Sequence, residues 1–141
     1  MPRTFLSALV FLPCIVLLGC GSSASAPSRQ EGAAALQSGL DAFAQKNYAA
    51  AAESLTNAIG SGVLNTDQYV EATLKRAMAW AAEGKYDEAI ADLTKLEAGA
   101  PNLDQVFAAR AFVLKKQGKV AEANAAMAKA RQYNRTIKEF M

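Results

Sequence analysis

One spacing constrains this chain more than its composition does. Aligned on its tyrosines the sequence repeats, with Tyr48 and Tyr86 38 residues apart and Val120 a further 34 residues on. Corresponding places hold small or apolar residues: Gly39, Ala77 and Ala111; Ala51, Ala89 and Ala123; Leu55, Leu93 and Met127; Ala58, Leu96 and Ala130. Units of this length each bury an apolar face only against their neighbours, so the repeat points to a linear array. The copies run over residues 32–65, 70–103 and 104–137.

The central copy, Val70 to Leu103, reads as two amphipathic helices broken at Gly84 and stopped at Pro101. Gly84 and Gly118 supply the left-handed conformation that ends a helix, and Asn47 is expected to do nearly the same in the first copy. Alanine is heavily used from Ala33 onward and strand formers are thin, which gives an all-α fold. The expected helices cover 29–45, 48–60, 67–83, 86–98, 103–117 and 120–133. Ser28 and Glu31 form a capping box ahead of the first, and Asn102 with Gln105 is expected to cap the fifth. A four-residue insertion around Gly60–Val63 follows the first copy.

A helix–turn–helix unit near 34 residues long, with small residues at fixed places, resembles the tetratricopeptide repeat. In the central copy Ala77 fills the small place of the first helix and Trp80 the large one. Gly84 makes the turn, Tyr86-Asp87-Glu88-Ala89-Ile90 opens the second helix, and Pro101 stands at the terminal proline. The outer copies depart, with Ala42 beside Phe43 in place of Trp80, Val120 in place of Tyr86 and Arg135 in place of Pro101. The resemblance implies a right-handed superhelical stack of about three hairpins, an α-solenoid. The residues alone also allow an alanine-rich helical bundle. Ala77 and Ala89 let paired backbones approach, and Trp80, Tyr86 and Leu93 fill the space around that contact. No separate helix seals the third copy. Ile137 and Phe140 can fold back over it; otherwise that face invites a second molecule.

Residues 1–19 read as an export signal. Arg3 precedes an apolar run from Phe5 to Leu18 that reaches only about 21 Å as a helix, short of the roughly 30 Å hydrocarbon core, and Pro13 interrupts it. Leu17-Leu18-Gly19-Cys20 resembles the bacterial lipobox, which implies lipidation at Cys20 and cleavage before it; Cys14, after Pro13, does not match. The alternative is an ordinary signal peptide with an incidental cysteine. Residues 20–28 are then a lipidated cysteine and a flexible tether, small and polar, before a folded region at 29–141. Gly21 rather than aspartate follows the cysteine. That favours the periplasmic face of the outer membrane if the cell has two membranes.

The folded region offers little chemistry. The chain has no histidine, its two cysteines are Cys14 and Cys20, and its net charge is only +2. A strongly basic nucleic-acid footprint is missing, and with it the commonest general base and metal ligand. No glycine-rich phosphate loop or serine–lysine motif occurs, and Asp87, Glu88 and Asp92 do the ordinary work of carboxylates near a helix N-terminus. The expectation is a non-enzyme without cofactor or metal. Arg76 and Asp92 face each other across the central hairpin and are expected to form a salt bridge. Arg110, with Ala126 opposite, must find a partner elsewhere.

The resemblance implies a concave groove lined by the first helix of each copy. Its places hold Leu36, Leu40 and Phe43, then Glu71, Leu74, Lys75, Met78 and Ala82, then Gln105, Ala108, Phe112, Lys115 and Lys116. They make an apolar trough with a basic lip. Some relatives grip a terminal carboxylate with a lysine–asparagine clamp; Leu36, Leu40 and Met78 stand at the clamp-like places here, so that activity is not supported. At helical spacing Leu36, Leu40, Met78 and Phe112 also suit core between copies. Charge is uneven, with six basic and ten acidic side chains over 20–103 (−4), and eight basic and three acidic over 104–141 (+5). A basic end suits an anionic membrane surface or an acidic partner, or is a solvated face. The expected function is a membrane-anchored adaptor holding a peptide or helix of another envelope protein. The alternatives are a self-associating module, as a homodimer, and an accessory subunit of an envelope complex.

Overall fold

A computed structural model describes residues 28–140. The expected signal, Cys20 and the tether as far as residue 27 lie outside the described residues, as does Met141. Six α-helices follow in order: α1 (Arg29–Ala44), α2 (Tyr48–Gly60), α3 (Thr66–Ala82), α4 (Tyr86–Glu97), α5 (Leu103–Lys116) and α6 (Val120–Tyr133). Among the described residues there is no strand, and no helix is long and apolar enough to cross a membrane.

The helix ends follow from local chemistry. Ser28 and Glu31 form the expected capping box on α1, with bonds of 3.2 and 2.6 Å. A second box, Asn65 with Gln68 at 2.9 and 3.1 Å, opens α3 and satisfies two amides that would otherwise be orphaned. Gly84 and Gly118 take φ of 79° and 82°. In the first copy the left-handed residue is Lys46, at φ 60°, and not Asn47. Asn47 instead caps α2, its Oδ1 accepting from Ala50 N at 3.4 Å. Asn102 does not cap α5: its Nδ2 donates to Gln105 Oε1 at 3.0 Å, so that pair holds itself and leaves the backbone alone.

The surplus after the first copy is not a loop insertion. The α2–α3 connection, 61–65, is as long as the α4–α5 connection, 98–102. Most of the extra length is helix, because α3 spans 17 residues and α5 spans 14. The Asn65–Gln68 box caps that added first turn.

The four sets of corresponding small or apolar residues are all buried, from Gly39 through Leu55, Ala77, Ala89 and Leu93 to Ala111, Ala123, Met127 and Ala130, whereas Val120 at the tyrosine position is exposed. A Cβ on Gly39 would lie 2.6 Å from Leu55 Cγ and 3.1 Å from Leu55 N, so α1 and α2 meet at a distance that only glycine permits. The largest cluster joins α3, α4 and α5 around Leu74, Leu93, Val106 and Val113, with Trp80 and Tyr86 packed against it. Trp80 also closes a small cluster with Ala51, Ala52 and Ala79, so one ring ties the first hairpin to the second. Consecutive helices pack pairwise. In addition α1 touches α3 and α3 touches α5, whereas α2 and α4, and α4 and α6, make no comparable contact. The odd helices therefore form one continuous layer.

Polar bonds tie the hairpins too. Arg76 grips Asp92 with both ends of its guanidinium, Nε to Oδ2 at 2.7 Å and Nη2 to Oδ1 at 2.8 Å. Its remaining Nη1 donates to Thr56 Oγ1 of the preceding hairpin at 3.2 Å. Arg110 repeats this arrangement one copy later, donating from Nη2 to Thr94 Oγ1 at 2.8 Å. Its charge is met by Glu97 rather than by the helix opposite, with Nε 2.6 Å from Oε1 in a contact too poorly aligned for a hydrogen bond. Thr56 and Thr94 each donate in turn to the carbonyl four residues back, Ala52 and Ile90, at 2.7 and 2.8 Å.

Candidate functional site

The odd layer carries an open trough of about 740 Å³. Leu40, Phe43, Ala44, Lys46 and Tyr48 form one wall, Glu71, Lys75, Met78 and Ala82 of α3 the floor, and Phe112 and Lys116 of α5 the other wall. The pattern follows the repeat. Leu40, Met78 and Phe112 occupy one repeat position, and Ala44, Ala82 and Lys116 the position one turn later, so each odd helix contributes an i, i+4 pair to one face.

The side chains are pre-set by aromatic contacts. The rings of Phe43 and Tyr48 meet edge-to-face with centroids 5.6 Å apart. Lys75 Nζ sits 5.0 Å from the Phe43 centroid, and Lys116 Nζ 5.6 Å from that of Phe112. Each cation rests on the negative face of a ring, which draws the basic side chains onto the apolar walls. The lining holds Lys46, Lys75 and Lys116 against the single carboxylate of Glu71.

The residues expected in the groove divide. Leu36 is not in it. It is 6% exposed and packs with Leu55, Ala58 and Ala72, because its repeat position points between the helices of the hairpin. Ala108, at the same repeat position, is buried as well. Leu74, the third member of that position, belongs to the central cluster but also lines an adjoining cavity with Asp67, Asn102, Gln105 and Phe140. That cavity shares Glu71, Lys75 and Met78 with the trough. Met78 is 6% exposed and forms floor rather than wall. Lys115 points away from the trough's main length and lines a small cleft beside Phe112, Val120 and Phe140. The sequence reading missed Ala44, the last residue of α1, and Lys46 and Tyr48, which lie in the turn and at the start of α2 rather than on a first helix.

Among the described residues no three His, Cys, Asp or Glu side chains are grouped to hold a metal, and no catalytic constellation is assembled. The trough offers shape, apolar surface and positive charge. The chain matches no family profile, no curated protein and no solved structure.

Proposed function

We propose that this chain is a tetratricopeptide-type scaffold, a right-handed stack of three hairpins, lipid-anchored through Cys20 in a bacterial cell envelope. It holds a peptide or helix of another envelope protein in the trough of α1, α3 and α5. The observation that carries this reading is the agreement of the trough with the repeat. Leu40, Met78 and Phe112 stand at one position in three copies and line one continuous surface. Leu40 and Phe112 are half-buried on the two walls over the buried Met78, and an apolar surface left partly open to solvent in this way marks an interaction site. Contact between odd helices and none between even ones suits an array that curves toward its odd layer, as the superhelix requires. The lipobox-like Leu17–Cys20 supports anchoring, and Gly21 supports the periplasmic face of an outer membrane.

A photo-reactive amino acid placed at position 75 or 116 in cells should cross-link to a defined partner, and one placed at Asp87 on the outer surface should not. Phe43→Ala with Phe112→Ala should abolish the adduct. Equal adducts from position 87 would refute the groove. Cys20→Ser should release the protein from the membrane fraction; retention would place the anchor elsewhere. Self-association is the competing reading, and sedimentation decides it: a dimer that buries Phe112 would replace the open groove with a homotypic interface.

A further inference from the structure

The segment after α6 does not leave the molecule. Asn134 ends the helix with its N–H on Ala130 O at 3.0 Å, and its Oδ1 accepts from Thr136 N and Oγ1 at 3.1 and 2.8 Å. Its Nδ2 donates to Asp104 Oδ2 at 2.9 Å, which pins the turn to the first residues of α5. The chain then runs back over the third hairpin. Ile137 packs on the cluster of α5 and α6, while Phe140 packs on that cluster and on the central one. Phe140 thereby lines the cavity that shares Glu71, Lys75 and Met78 with the trough. Beside it Glu139 Oε2 lies 3.1 Å from Lys115 Nζ.

One aromatic ring of the same chain thus sits in the cavity that adjoins the trough, and one carboxylate sits beside it on Lys115, in the cleft next to Phe112. The holding is light. Lys115 and Glu139 are 66% and 49% exposed, so their ion pair is screened by water, and Phe140 is only half-buried. The trough itself remains open, with three lysines against one glutamate.

We propose that Glu139 and Phe140 are a built-in occupant of the surface that continues the trough past α5, Phe140 in the cavity that shares Glu71, Lys75 and Met78 with it and Glu139 on Lys115 beside it. The partner is an extended segment with an acidic residue next to an aromatic one, and it binds by taking the place of these two side chains. The inference rests on the groove reading above and adds two things to it: the chemistry of the partner and a competitor tethered in cis. A short tether holds its occupant at millimolar effective concentration, so even a weak contact lowers the apparent affinity for a segment arriving from outside. The lysines resting on Phe43 and Phe112 provide what the incoming carboxylates need along the open length.

The test uses the full chain in mild detergent and two fluorescein-labelled octapeptides, Ser-Gly-Glu-Phe-Glu-Phe-Gly-Ser and its counterpart with lysine in place of glutamate, read by anisotropy. An occupant filling its site about nine-tenths of the time costs about tenfold in apparent affinity. The expected result is therefore an acidic peptide that binds Phe140→Ala about tenfold more tightly than the native chain. Glu139→Lys, which repels Lys115 and leaves the apolar packing in place, should bind it several-fold more tightly. Lys75→Glu with Lys116→Glu should abolish binding. Unchanged affinity in both Phe140→Ala and Glu139→Lys would overturn the tethered occupant and leave the segment as a seal on the third hairpin. Equal binding of the two peptides would overturn the acidic partner while leaving the groove reading intact. No binding of either peptide to any variant would remove both.

Discussion

The bridge between Arg76 and Asp92 is the sharpest energetic claim the structure makes. Asp92 has 6% of its side chain exposed and Arg76 13%, and the pair is bidentate. Asp92→Ala leaves the guanidinium with Thr56 as its one remaining partner. Removing one member of a buried pair costs about 3–5 kcal/mol, because the other charge stays desolvated. Arg76 lies near the edge of the hairpin and retains some access to water, which puts the loss near the low end, at about 3 kcal/mol. Lys95, 3.7 Å from Asp92 Oδ1 and 65% exposed, adds little. For a domain of this size a loss of about 3 kcal/mol lowers Tm by roughly 10–15 °C.

Arg76→Met combined with Asp92→Ala tests the cause. With both charges gone nothing is stranded, so the double variant should be no less stable than either single one, a coupling of about 3 kcal/mol or more. The assay is urea unfolding followed by far-UV circular dichroism on all four proteins. The bridge should also keep its worth in high salt, since a buried pair is poorly screened. Should Asp92→Ala cost less than about 1 kcal/mol, or the two changes simply add, the pair behaves as a surface ion pair and the reasoning fails.

Other variants separate the remaining forces. Lys46→Gly should stabilise by about 0.5–1 kcal/mol, since it relieves a left-handed side chain at φ 60° and gives back part of that in backbone entropy; a lower melting temperature would contradict this. Leu36→Ala should cost about 2–5 kcal/mol in urea unfolding as a core truncation, whereas Phe43→Ala on the trough wall should cost clearly less. Thr56→Val and Thr94→Val should each lose about 1 kcal/mol, with faster amide exchange concentrated on the hairpin boundary that each hydroxyl spans.

The helices were legible because their punctuation is chemical. Glycine at 84 and 118, Pro101 and the Ser28 cap leave little freedom in where a helix starts or stops, and the observed ends lie within a residue of those expected. The Arg76–Asp92 bridge was legible for a similar reason, since two opposite charges on facing helices have few other places to go. Reading failed where two side chains share a helix face but not an environment. Leu36 and Leu40 are one turn apart, equally apolar and both packed on the cluster of Leu55, Ala58 and Ala72, yet the first is buried in it and the second is half-buried and also lines the trough. Periodicity assigns both to one stripe. Only the position of the neighbouring odd helix separates them, and that is a tertiary fact. The turn at Lys46 was misassigned by one residue because Asn47 is the better left-handed residue taken alone. The repeat register, which puts position 46 opposite Gly84, was the stronger signal. The Asn65–Gln68 capping box is plain in the sequence, an Asn followed three residues on by Gln, and it accounts for the surplus after the first copy as helix rather than loop.

The division of the odd helices into floor and wall limits how the trough can change. Met78 belongs to the floor, at 6% exposure beneath an open cavity, and Leu74 beside it belongs to the central cluster. A substitution there alters the fit of a ligand and the seating of α3 between its neighbours together, so binding and stability move as one. Phe43, Phe112 and Lys116 stand on the walls and Lys75 reaches from the floor onto the Phe43 ring, all partly or fully in solvent, and the two phenylalanines touch the core along one edge. The charge of the lysines can vary at little cost to the fold, because surface replacements away from buried groups rarely move stability by more than about 0.5 kcal/mol, and the half-buried rings cost less to change than the buried floor. Specificity in such an array therefore resides in the wall positions, while the repeated small residues underneath keep the helices at the spacing that makes a trough at all. The same logic explains why the polar ladder stops where it does. Thr56 and Thr94 each accept from the arginine of the following hairpin, and the corresponding residue of the third copy is Ala128, which has no hydroxyl to offer. The last described hairpin is instead covered by the segment that carries Ile137 and Phe140.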